Sequence, residues 1–192
     1  MAYTTSGAAG FGIKEVADVG FYEVGTVTVD STTGAVTGTP LFVLDTLKVS
    51  TIENTAEQAD AKGGKGNAPL IIWDYGREIT ITLQDAVLTQ ETLSMMFEGN
   101  AKDSSNEIVI SANTFPGTYA IVGKTFARDI NGKDSLFTWY VPKAKVNSEV
   151  TLTMEAEGDP TVFDMNLKVL RHTNGTMMKL IRDKEKDAYV TA

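Results

Sequence analysis

Cysteine is absent from the 192 residues and histidine occurs once, at His172. Without thiolates there is no disulfide, zinc ribbon or iron–sulfur chemistry, and a single imidazole leaves a histidine-rich metal centre or a Ser/His/Asp nucleophile system without its raw material. Long apolar runs are missing too. No stretch approaches the roughly 18 apolar residues of a membrane-spanning helix, and Met1–Gly20 lacks the basic start and apolar core of a secretory signal. The expectation is a chain made in the cytoplasm, without membrane contact. With 5 Pro, 17 Gly, 42% hydrophobic and 22% charged residues, the composition excludes collagen-like and disordered classes and predicts one folded domain. At this length roughly 70% of the unfolded chain's surface is buried on folding, enough for a core without staples.

Positive charge is in short supply. Against 25 Asp and Glu stand 17 Lys and Arg, an excess of 8 acids. Such a surface repels nucleic acid rather than gripping it by counterion release, yet it is compatible with DNA that slides past without binding.

What is present is mostly strand pattern. Residues 1–20 are small, Gly-rich and aperiodic and read as a flexible N-terminal arm, with Phe11, Ile13 and Val16 as its docking points. Phe21–Asp30 and Leu41–Glu53 are β-branched runs around the turn cluster STTGAVTG, which predicts a long hairpin. In the second run the apolar parity changes, Leu41 and Val43 giving way to Leu47 and Val49 while Phe42, Leu44 and Ile52 fall on the other parity, as in a strand covered on both faces or bulged. Asn54–Pro69 has no large apolar residue and three Gly within four positions, which predicts an exposed, mobile interaction loop over 54–69. Arg77–Gln84 alternates cleanly. Thr89 then caps the one credible helix, with Glu91 in its first turn, a stripe of Leu93, Met96 and Phe97, and Gly99 as its stop.

Glu107–Ser111, Thr118–Arg128, Ser135–Val141, Val150–Glu157, Val162–Arg171 and Met177–Arg182 follow as strands. The separators DINGKD, Gly158-Asp159-Pro160 and Thr173-Asn174-Gly175 suit successive antiparallel hairpins. The fold class is mainly β: an antiparallel β-sandwich or β-barrel with one short flanking α-helix, in a single domain over 21–183 with a loose tail at 184–192.

The candidate chemical sites are thin. AKGGKGN offers Gly amides and the cations Lys62 and Lys65, but the order of a phosphate loop is absent, so Lys62, Gly63, Gly64, Lys65, Gly66 and Asn67 read as an interaction loop. DINGKD opens like a calcium loop, yet Gly132 is fourth rather than sixth and the twelfth residue is Tyr140. The carboxylates Asp74, Glu78 and Asp85, and Glu155, Glu157 and Asp159, carry no sign of acid/base pairing and read as solvated surface. His172 reads as a turn-side surface residue. Trp73 and Tyr75, with Trp139 and Tyr140, suit either a stacking platform or packing in a core or interface, and packing is the favoured reading. No catalytic, metal or cofactor residue is assigned.

KGGKGNAPLIIWDYGREITITLQDAVLTQETLSMMF, FPGTYAIVGKTFARDINGKD and TLTMEAEGDPTVFDMNLKVL resemble segments of tail tube and related virion structural proteins from phages of Gram-positive hosts, over Leu41–Arg182. That resemblance implies a sandwich or barrel with one helix, subunits closing into hexameric rings, and rings stacked into a tube through which the genome leaves. It implies no catalytic residues or cofactor. Its partners are other copies of the chain and other tail proteins, with DNA passing unbound, in a virion tail assembled in the host cytoplasm. The loop 62–67 and Phe11 and Ile13 are the expected subunit contacts. A baseplate, adaptor or capsid-decorating protein on the same sandwich, and a carbohydrate-binding module using the four aromatics, are the alternatives.

Overall fold

The computed structural model describes residues 10–13, 17–87, 89–97, 108, 110–130, 132–147 and 163–183. Its centre is a hairpin of β8 (Thr118–Asp129) and β9 (Asp134–Val146); in chain order the other elements are β1 (Phe11–Ile13), β2 (Asp18–Glu23), β3 (Thr28–Val29), β4 (Val36–Thr37), β5 (Phe42–Leu44), β6 (Leu47–Gly63), β7 (Ala68–Asp85), α1 (Gln90–Phe97), β10 (Phe163–Val169) and β11 (Lys179–Arg182). The DINGKD turn closes the central hairpin. The Asp129 N–H donates to the Lys133 carbonyl at 3.0 Å, and Arg128 holds Asp134 with bonds of 2.6 and 2.7 Å. Those bonds keep the Asp134 carboxyl below the usual carboxylate range.

Each outer edge of this hairpin carries two strands placed end to end. β1 and β2 follow one another along β8, and β11 and β10 along β9. The sheet then extends through β5 beyond β2, and through β7 and β6 beyond β10, giving nine antiparallel-paired strands in the order β5-β2-β8-β9-β10-β7-β6 with β1 and β11 off that path. The two ends of the order, β5 and β6, do not pair with each other, so the sheet is not a closed barrel. It is sandwich-like instead. One apolar cluster joins Val19 and Phe21 of β2 to Ile81 and Leu83 of β7 across Trp139 and Val141 of β9, with Met95 and Met96 of α1 packed in. Strands far apart in the order share that core only because the twisted sheet curves over itself.

The outer face of β2, β8 and β9 is also covered. The small β3–β4 sheet brings Val27, Val29 and Val36 onto Tyr22, Ala120, Val122 and Ile181. β8 is therefore buried on both faces over Tyr119–Val122, which explains its unbroken apolar run. Burial pushes the Tyr119 phenol up to about 12 and raises those of Tyr22 and Tyr140. A raised folded-state value favours the folded protein fully below the unfolded tyrosine value near 10, and that contribution is lost as pH climbs through the folded value. The urea midpoint should therefore fall between about pH 10 and 12, and Tyr119→Phe should flatten that fall.

The cap at Thr89 is present: its hydroxyl accepts the Thr92 N–H at 3.2 Å. The buried stripe of α1 is Thr92, Ser94, Met95 and Met96, while Leu93 and Phe97 are only half-buried. The first hairpin is present but shorter than expected. Thr28–Val29 pairs with Val36–Thr37 across the turn cluster and Val19–Phe21 with Phe42–Leu44, and the chain then breaks at Asp45–Thr46 so that β6 can join β7. The parity change after Leu44 marks this exchange of partners, and Thr46 donates its hydroxyl hydrogen bond to the buried Asp85 carboxylate there.

Three further expectations change. Residues 11–13 and 18–20, placed in a flexible arm, lie in β1 and β2. Ile108, Ile110 and Ser111 are outside any strand. Thr173-Asn174-Gly175 does form a turn, with the Gly175 N–H donating to the His172 carbonyl at 2.9 Å, but β10 and β11 on either side of it pair with β9 and not with each other. The Val150–Glu157 strand, the Gly158-Asp159-Pro160 turn, residues 1–9, 14–16 and the tail at 184–192 lie outside the described residues.

Candidate functional site

The largest correction concerns 54–69. Its residues are exposed, as expected, but they are not a structureless loop: 54–63 continue β6, 68–69 begin β7, and only 64–67 form a turn. Low hydrophobicity here marks the solvated strand of a hairpin whose apolar residues all come from the other strand. β10 accompanies β7 only from Asp85 to Thr80. From Ile79 to Ala68 the sole partner of β7 among the described residues is β6, so a two-stranded ribbon runs for about 35 Å at ~3.3 Å per residue.

The two strands of this ribbon differ in kind. β6 supplies Glu53, Glu57 and Asp60 with small or amide neighbours, whereas β7 supplies Leu70, Ile71, Ile72, Trp73 and Tyr75. Leu70 is 70% exposed, Trp73 54% and Tyr75 53%. Ile71, Trp73 and Tyr75 alternate with Ile72 and Asp74, so both faces of the ribbon are apolar. Ala61 and Ala59, opposite Ile71 and Trp73, are too small to cover them. Bulges interrupt the register between Thr55 and Glu57 and between Ala61 and Lys62. Inside the ribbon, Gln58 donates to Asp74 at 2.8 Å and Lys62 pairs with Asp60 at 3.4 Å.

At the tip, Lys62 and Gly63 end β6, and Gly64, Lys65, Gly66 and Asn67 make the turn, the Asn67 N–H donating to the Gly64 carbonyl at 3.2 Å. Gly64 and Gly66 have φ of +78° and +96° with nothing near enough to meet a Cβ. Alanine there strains the backbone by about 1–2 kcal/mol per residue without any clash. Gly64→Ala with Gly66→Ala should speed amide exchange across 63–68 and leave the melting temperature of the body unchanged, as hydrogen exchange and calorimetry would show.

The structure does not bring the other two expected contact residues to this tip. Phe11 and Ile13 sit on β1, 47% and 50% exposed, and Ile13 faces the ribbon's root. There Ile13, Ile52, Ile79, Phe137, Met178 and Leu180 line an open groove of about 750 Å³ where the layers of the sandwich diverge. Sequence reading missed both the groove and the β7 strand as a site. The available signal was LIIWDY, apolar on both parities beside a strand with nothing apolar to set against it.

A second surface is polar. On the face of the sheet away from the core, Thr82 donates to Asn166 and Gln84 to Asp164, each at 2.9 Å, and Lys168 meets Glu78 at 2.7 Å. Register places Glu53, Thr51, Lys143 and Lys145 on the same face, giving Glu53, Glu78 and Asp164 against Lys143, Lys145 and Lys168. The remaining candidates are structural. Trp139 is buried and Tyr140 half-buried, while His172 contacts Asn174 and Thr173 within its turn. Among the described residues no cluster of His, Asp or Glu is arranged to hold a metal, and no helix is long and apolar enough to cross a membrane. Glu155, Glu157 and Asp159 lie outside the described residues.

Among the described residues the mainly β sandwich thus presents an exposed apolar ribbon and a broad polar sheet face. Residues 11–101 and 97–181 match the YomU/Tube protein family, together well over half of the chain, and the chain belongs to that family. It is a phage tube protein, a component of the virion tail. No curated protein matches the sequence.

Proposed function

We propose that the chain self-assembles into stacked, sixfold rings that form the phage tail tube and conduct the genome during ejection. The observation that carries this reading is the ribbon. An isolated two-stranded hairpin is marginal in water, and five large apolar side chains on it are a liability unless another subunit covers them. A ring closes through heterologous contacts, and stacking repeats another such contact along the axis. The ribbon is an element of the right reach for the second task, with Lys62–Asn67 at its leading end. Assembly takes place in the host cytoplasm with other tail proteins as end partners.

The polar face of β9, β10, β7 and β6 is the proposed bore. Its three acids, Glu53, Glu78 and Asp164, balance the three lysines Lys143, Lys145 and Lys168, and Lys168 is paired with Glu78, so the face carries no net positive charge to hold passing phosphates. Electron microscopy of the purified protein tests the reading: hollow tubes are expected, and monomers or closed dimers at high concentration would overturn it. Trp73 and Tyr75 on one face of the ribbon also suit a sugar platform, which glycan binding by the isolated chain would reveal. Self-assembly is favoured because it accounts for Leu70 and Ile72 as well, which a platform on the Trp73 face leaves bare.

A further inference from the structure

We infer that the groove at the root of the ribbon is the receptor for the apolar strand of a second copy's ribbon, so that copies join head to tail. The inference rests on the stacked assembly proposed above and adds where the ribbon seats. Among the described residues two apolar surfaces lack cover. Leu70, Ile71, Ile72, Trp73 and Tyr75 together expose roughly 500 Å² over the two faces of one strand, Ile71, Trp73 and Tyr75 on one and Leu70 and Ile72 on the other. Leu180 (62% exposed), Ile13 (50%) and Ile52 (38%) leave the groove open in the same way.

A ribbon cannot fill its own groove. Ile52, Asn54, Arg77 and Ile79 are both groove wall and ribbon root, and the paired strands carry Trp73 about 20 Å away at ~3.3 Å per residue. The seat must be on another copy. Charge supports that occupant: Arg77 stands exposed on the groove wall and Arg171 lies beside Gly175 of the same wall, whereas the incoming ribbon flanks its apolar strand with Glu57, Asp60 and Asp74. Met177 and Met178 on the wall adapt to a bulged, aromatic-bearing strand better than β-branched residues would. Because the inserted surface and the receiving surface differ and lie at separate places, the contact leaves a free ribbon at one end and a free groove at the other, and it propagates.

The absence of native cysteine makes the test direct. Chains carrying Ile72→Cys with Leu180→Cys, and separately Trp73→Cys with Met177→Cys, are assembled, oxidised and run without reductant. A ladder of covalent multimers is expected from at least one double variant, and monomer from each single variant. Ile72→Cys alone giving dimers would show ribbon against ribbon and overturn the inference, as would tubes without a ladder from either pair. In parallel, Leu180→Glu should raise the critical concentration for assembly at least tenfold with an unchanged urea midpoint of the monomer. Normal assembly of that variant, with or without a shifted midpoint, would overturn the groove as receptor while leaving ring stacking intact. Failure of the unsubstituted chain to assemble at all would overturn the stacked reading beneath it.

Discussion

Gly123→Ala is expected to be the most damaging of the glycine-to-alanine changes among the described residues. Gly123 pairs with Trp139 across the central hairpin, and the indole lies over it so closely that an added Cβ would fall 2.0–2.3 Å from Cε2, Nε1 and Cζ2 of the ring. Trp139 is 2% exposed and belongs to the main core cluster, so it has no solvent to retreat into. Overpacking commonly costs about 1–3 kcal/mol, and expelling the indole forfeits burial on the scale of a tryptophan truncation, about 3–5 kcal/mol. Against a total of about 5–15 kcal/mol, this is a drop of roughly 10 °C or more in melting temperature, or loss of soluble protein. Calorimetry of the purified variant measures it. Adding Trp139→Leu, which removes the clashing atoms, should return part of the loss, a coupling that independent sites would not show. A melting temperature within about 2 °C of the parent would mean that the two residues are not stacked in this way.

The same hairpin shows what the sequence made legible. DINGKD between alternating runs fixes a turn and a register, and β8 and β9 appear where those signals place them. Thr89 as a cap is equally readable, because a cap is a local hydrogen bond. Long-range choice of partner is not local. Nothing in LFVLDTLKVSTIE says that three residues pair with β2 and the rest with β7; the parity change is visible, but only the sheet order gives it meaning. Likewise, the end-to-end strands on β9 flank a turn that looks from the sequence like a hairpin.

The strand character of 54–69 is hidden in the sequence for a physical reason. Asn54–Pro69 buries nothing, and a segment that buries nothing is ordinarily a loop; here its backbone is held by β7, whose own apolar side chains are exposed. A strand held only by its pairing with a neighbour has no signature in its own residues. Lys62–Asn67 are punctuated by Gly and largely exposed, as their composition predicts, whereas most of the ribbon's apolar surface lies behind them at Leu70–Tyr75.

Excision of the ribbon should separate assembly from folding. Replacing residues 56–77 by Asn-Gly, between the paired Thr55 and Glu78, retains the part of β7 that β10 accompanies. Residues 51–77 include no buried residue, and the Gln58–Asp74 and Lys62–Asp60 contacts are internal to the ribbon. The body therefore loses no core, and its melting temperature should stay within about 2–4 °C, the shift that accompanies about 1 kcal/mol in a domain of this size. Assembly should vanish, because the roughly 500 Å² of apolar surface that would bury at each contact goes with the ribbon. Even a net contribution of about 3 kcal/mol per contact, after the entropy of association, exceeds a factor of 100 in the association constant. Sedimentation at a concentration where the parent forms tubes distinguishes the outcomes: a folded monomer is expected, and persistent tubes would remove the ribbon from the interface. Mixed with the parent, the excised chain keeps the apolar wall of its groove (Ile13, Ile52, Ile79, Met178 and Leu180), loses Arg77 from it and offers no ribbon, so it should cap growing ends and shorten tubes at substoichiometric ratios. Tubes of undiminished length in that mixture would place the ribbon's seat somewhere other than the groove.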